Sequence, residues 1–200
     1  MTASTTPCCA SPIESLRGWL LALCLLLTPL IAHAEADENV VRYAEIVQGD
    51  DGYVVNADID LDLGPRLTEA LLRGVSLHFV LEFELERGRW YWFDRQIAAR
   101  SIHYRLSYHA ITRSYRLSVG GLHQTFDSLD GALRAMQRIR NWHIVELDEL
   151  EAGVSYNAAL RMRHDTSRLP RPFQVTAIGN RDWSVGTDWL RWTFLAGTTR

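Results

Sequence analysis

Val75-Ser76-Leu77-His78-Phe79-Val80-Leu81-Glu82-Phe83-Glu84-Leu85-Glu86 alternates along its whole length. Val75, Leu77, Phe79, Leu81, Phe83 and Leu85 fall on one side of an extended chain. Ser76, His78, Glu82, Glu84 and Glu86 fall on the other, with Val80 the exception. A period of two marks a strand with one dry and one wet face.

The flanking sequence repeats the pattern. Val40–Gln48 is rich in strand formers, Asp50-Asp51-Gly52 signals a turn, and Tyr53–Leu63 alternates Ile59, Leu61 and Leu63 against Asp58, Asp60 and Asp62. Arg66–Arg73 interrupts it. Pro65 opens a helix well, Leu67, Ala70 and Leu71 form a helical stripe, and Gly74 closes it. Downstream, Arg87-Gly88 predicts a two-residue hairpin, setting Leu85 opposite Trp90 and Phe83 opposite Trp92, with Arg89–Ile97 as the return strand. Ile102–Ala110, Ser114–Val119 and Leu122–Phe126 continue the strands, the last two joined by Gly120-Gly121.

A second helix is predicted from Leu129 to Arg140, capped by Asp127 or Ser128 and ended by Asn141. Arg134, Arg138 and Arg140 then crowd its last half, where the helix dipole favours cations. Trp142–Leu147 and Val154–His164 read as strands around the acidic stretch Asp148–Gly153. Leu169-Pro170-Arg171-Pro172-Phe173 reads as extended, Phe173–Ile178 as a short strand, and Gly179-Asn180 as a turn. The aromatic tail Trp183–Phe194 ends as a strand with Leu190, Trp192 and Phe194 inward. The sum is a mainly β protein: an antiparallel sandwich or partly open barrel with two short helices packed on it.

The N-terminus carries an address. Arg17 precedes the apolar run Trp19–Ile31, and Ala32-His33-Ala34 is a small-x-small site. This predicts a secretory signal peptide over residues 1–34, cleaved after Ala34, and a single periplasmic β-rich domain over 35–200. An uncleaved anchor in the inner membrane is the alternative; the run falls short of the ~20 residues that span a bilayer core. Leu23 before Cys24 is not the small residue that a lipidation site needs. Cys8, Cys9 and Cys24 all leave with the signal, so residues 35–200 hold no disulfide and no thiol nucleophile. A net charge of −3 gives no pull toward nucleic acid, and every basic residue other than histidine is arginine.

Motifs for chemistry are sparse. Asp58, Asp60, Asp62 and Glu69 mimic calcium-loop spacing, but Leu63 stands where that loop requires glycine. A solvated acidic strand face is the better reading. The six histidines beyond the signal show no HxH, HxxxH or HExxH spacing. There is no nucleophile elbow and no phosphate-cradling loop. No catalytic, cofactor-binding or metal residues are therefore assigned. The surface candidates for a partner or ligand are Trp189 and Arg191, predicted to face outward, with Trp183 and the strand-end His164 beside them.

Three stretches carry a resemblance: Gly74-Val75-Ser76-Leu77…Arg89-Trp90-Tyr91-Trp92, Tyr108-His109…Tyr115-Arg116-Leu117, and Leu169-Pro170-Arg171-Pro172-Phe173-Gln174-Val175. In their order the chain resembles the domain of unknown function 4390 family, short exported proteins of proteobacteria, from about Val40 to Phe194. The resemblance implies an exported, mostly β protein and supplies no activity, cofactor or catalytic residue. Where this chain has His164 the family pattern carries an aliphatic residue. Genes of the family often neighbour those of a nitrogen-type sensor kinase, which implies an accessory to an envelope sensor system. The resulting expectation is a non-enzymatic periplasmic binding or interaction protein. Binding of a small lipid or saccharide ranks second and hydrolysis third.

Overall fold

The alternating stretch from Leu77 to Glu86 lies in the interior of a six-stranded sheet. The computed structural model describes residues 39–88, 95–177 and 181–197. The predicted signal peptide, Trp90, Trp92 and the Gly179-Asn180 turn lie outside the described residues. The described strands are β1 Val40–Gln48, β2 Tyr53–Asp60, β3 Leu77–Arg87, β4 Arg95–His109, β5 Ser114–Val119, β6 Leu122–Phe126, β7 Arg138–Val145, β8 Ser155–His164 and β9 Leu190–Leu195. They form two antiparallel sheets, ordered β1-β2-β7 and β6-β5-β4-β3-β8-β9. Leu77, Phe79, Leu81, Phe83 and Leu85 are all buried, as the alternation requires. The smaller sheet packs over them: Phe83 meets Trp142 of β7 edge-on at 6.1 Å, and Tyr53 of β2 meets Phe194 of β9 at 5.4 Å. The described residues form a two-sheet, sandwich-like arrangement with no closed barrel among them.

Among the described residues three α-helices accompany the sheets, one more than predicted: α1 Gly64–Leu72, α2 Leu129–Gln137 and α3 Arg171–Ala177. Leu67, Ala70 and Leu71 bury the face of α1. Gly74, at φ +88°, donates to the Leu71 carbonyl while Val75 donates to that of Ala70, the paired bonds of a Schellman stop. Ser128 caps α2 by accepting from the Gly131 N–H at 3.1 Å. No helix among the described residues is long and apolar enough to cross a membrane.

Three expectations need correction. First, β3 pairs Leu85 with Ala98 and Phe83 with Arg100, not with Trp90 and Trp92. The ladder closes at Arg87↔Arg95, so the connection is longer than two residues, and the two predicted strands after it form one strand, β4.

Second, α2 stops at Gln137, and Arg138–Asn141 belong to β7. In the strand, Arg140 reaches Asp58 at 2.7 Å and the Ala57 carbonyl at 2.9 Å. Arg140 and Asn141 together oppose Asn56, and Asn141 sits at φ +52° with its N–H on Asn56 Oδ1. This is a β-bulge, and it keeps Ile139 buried on one side of the break and Ile144 on the other. The dipole role given to Arg138 and Arg140 goes with the lost turn.

Third, the proline segment is extended only as far as Leu169 and Pro170. Residues 171–177 then coil into α3, because the missing N–H of Pro172 costs nothing in a first turn. The Pro170 carbonyl accepts from the N–H groups of Phe173 and Gln174.

Candidate functional site

Four residues were candidates from the sequence, and the structure divides them into two pairs. Trp183 and His164 are buried, at 7% and 4% exposure, and do not belong to a surface. They meet in the core: His164 Nδ1 lies 2.8 Å from the Trp183 carbonyl. A carbonyl only accepts, so Nδ1 carries the proton and Nε2 is the bare nitrogen. Nε2 has no hydrogen-bond partner. Burial holds this imidazole below the ordinary histidine value, against the Trp183 bond and Asp165, which pull the other way.

A strap holds the pair in place. His164 donates through its backbone to Val185, Thr187 donates to the Met162 carbonyl, and the Thr187 hydroxyl accepts from Met162. Gly186 bridges Arg163 so closely that a Cβ there would stand 2.9 Å from the Met162 carbonyl oxygen.

Trp189 and Arg191 lie on the outer face of the six-stranded sheet. Sequence reading missed what organises them. Arg161 of β8 stacks over the Trp189 ring at 4.4 Å and donates to Glu82 of β3 at 2.6 Å. Arg163 binds the other oxygen of Glu82 at 2.8 Å. Arg191 lies 6.0 Å from the same indole. Burial alone would raise the Glu82 carboxyl, but the bonds from Arg163 and Arg161 outweigh it and hold the group below the usual carboxylate range. Here Arg161, Arg163 and Arg191 each have an acid or a ring beside them.

The same face changes character two rows along. His78 of β3 pairs with Arg105 of β4, Arg105 with Ser118 of β5, and Ser118 with His123 of β6. Residues directly opposite in an antiparallel sheet share a side and stand about 5 Å apart. The register thus sets an imidazole, a guanidinium, a hydroxyl and a second imidazole in one line across four strands. His103 occupies the next row, and Arg168 approaches from the turn after β8. Together they line a cleft of about 450 Å³. Among the described residues no carboxylate lines it; Asp165, at its edge, pairs with Arg168 at 3.4 Å and donates its N–H to the His78 carbonyl. Burial, then Arg168 and Arg105, hold the His78 imidazole below its ordinary value.

Asp58 and Asp60 lie at the end of β2, and Asp62 lies beyond it. Asp58 pairs with Arg140 and Asp60 with Arg42. Among the described residues no three His, Asp or Glu side chains converge as a metal-holding group.

Fold and face together define an antiparallel two-sheet β protein whose distinctive chemistry sits on the wet side of its larger sheet. The chain belongs to the domain of unknown function family DUF4390, whose model matches residues 36–193. Neither the curated proteins nor the solved structures gave a match to it.

Proposed function

We propose that the protein is an exported, non-enzymatic binding or interaction protein of the periplasm, accessory to an envelope sensor system, that works through the outer face of its six-stranded sheet. The observation that carries this reading is the concentration of arginine, histidine and tryptophan on that one face, from Trp189 and Arg161 to Arg105 and His123. The inner faces are occupied with packing: Trp142 and Trp192 lie on Phe83, and Trp183 lies on Phe173. That use of the aromatics weighs against the second reading, a lipid or saccharide held among them between the sheets.

Site-specific photo-crosslinking in cells tests the proposal. A crosslinker at Arg191 or Arg105 is expected to give one discrete adduct with a membrane-anchored sensor protein. The same crosslinker at exposed Arg134 of α2 is expected to give none. Fractionation is expected to place the protein in the periplasm with Glu35 as its first residue. Retention in the cytoplasm, or equal labelling from all three positions, would overturn the reading.

A further inference from the structure

We propose that the cleft at the basic end of the outer face binds a phosphate-bearing anion, with Arg105 at its centre and His78 and Arg168 as flanking donors. The inference rests on the reading of that face as a binding surface and names the chemistry recognised there.

Three observations support it. The first is the donor set. Arg105 and Arg168 offer only N–H groups, and Ser118 and the imidazoles of His78, His103 and His123 can all donate. The second is the charge. Two guanidinium groups meet three histidines with no carboxylate in the lining, while Asp165 at the edge offsets one cation. The lining itself therefore carries positive charge only, and an anion there is attracted by Arg105 and Arg168. The third is the geometry. His78 and His123 are three strand spacings apart, about 14 Å, too far to share a metal ion but suited to an organic phosphate. Donors reach Arg105's position from β3, β4 and the turn carrying Arg168. A phosphate group presents three strong acceptor oxygens in non-coplanar directions, against two coplanar ones on a carboxylate, and so suits donors that arrive from several elements. The rest of the cleft, over Ser118, His123 and the Gly120-Gly121 turn, leaves room for the group that bears the phosphate.

Binding and protonation are coupled. The groups facing His78 are Arg168, Arg105, Asp165 and His164, and after burial the two arginines are what hold its imidazole low. An anion between them raises it, so affinity rises as the pH falls and His78 gains its proton.

The phosphate has two sources, a soluble phosphomonoester or a lipid headgroup, and the experiment separates them. The purified protein is titrated calorimetrically with inorganic phosphate at constant ionic strength, and floated with vesicles of phosphatidylglycerol or of phosphatidylcholine alone. Saturable phosphate binding is expected, weakened about tenfold by Arg105→Gln and similarly by Arg168→Gln, both variants melting as the parent does. Flotation with phosphatidylglycerol that Arg105→Gln abolishes assigns the lipid source; phosphate binding without flotation assigns the soluble one. Binding in neither arm, or binding unchanged by Arg105→Gln, overturns the proposal. If crosslinking from the same face persists in that case, only the phosphate assignment falls; if it is lost too, the reading of the face falls with it.

Discussion

One face of one sheet carries two different solutions to the problem of charge. Around Glu82, a half-buried carboxylate takes bonds from Arg161 and Arg163, and Arg161 is stacked on Trp189. Around Arg105, an imidazole lies in adjacent register and Arg168 approaches from the turn after β8, with acid only at the rim. Matched charge on a sheet face contributes modestly to stability. Unmatched charge of one sign contributes nothing to stability, and its energy is recovered only when something of the opposite sign arrives. The contrast teaches that the Glu82 end belongs to the fold and the Arg105 end to a ligand.

The largest expected effect comes from removing the support beneath the matched end. Gly186→Ala forces a methyl group against backbone of Met162 and Arg163 that cannot swing aside. A loss of about 2 kcal/mol is expected, the usual range for overpacking, read as a lower urea midpoint at unchanged slope.

Next in size is a pair of substitutions that should differ in sign. Glu82→Gln leaves two arginines competing for a neutral amide, and about 1 kcal/mol is expected after allowing for their partial exposure. Arg105→Gln removes a cation from a group of cations and is expected to leave stability level or slightly raised. Thermal melts of the two proteins at low salt check the comparison; equal destabilisation would erase it.

Acidification is the mildest perturbation. His78 and His164 both sit below the ordinary value of 6.5, so the unfolded chain takes their protons first. Their contribution is fully present above that pH and is lost as the pH falls below it. Glu82 and Asp165 are also held below their ordinary values of 4.5 and 3.8, so a second loss follows in more acid solution. The melting temperature should therefore fall in two stages as pH is lowered. A double variant, His78→Gln with His164→Leu, should flatten only the first stage, and phosphate should shrink it in the parent protein.

Much of the fold was legible because alternation is a local signal. The inward residues of β3 could be named from spacing alone, as could the buried stripe of α1, and the cap of α2 was narrowed to Asp127 or Ser128, of which the structure uses Ser128. Where the sequence misled, a distant partner decided. Ile139 fits the stripe of a helix and the dry face of a strand equally well, and Asp58, far back in the chain, settles it through Arg140. The hairpin after β3 offered a short turn at Arg87-Gly88, but the ladder closes on Arg95.

The site was less legible for the same reason. Trp189 and Arg191 could be placed outward from the tail's alternation, yet their organiser, Arg161, comes from another strand. His78 and Arg105 each lie on the wet side of an alternating segment. Only the register of β3 against β4, and of β4 against β5, makes them neighbours of one another and of Ser118. His164 was drawn to notice at a strand end and Trp183 in the aromatic tail, and both are buried in the core.

Nuclear magnetic resonance mapping of the protein during titration with inorganic phosphate tests the two-ended face most directly. Shifts confined to the cleft, at His78, Arg105, Ser118, His123, Arg168 and the Gly120-Gly121 turn, with Glu82, Arg161 and Trp189 unmoved, are the predicted result. Shifts centred on the Glu82 end, or none at either end, would contradict the division of one face into a matched half that stabilises and an unmatched half that binds.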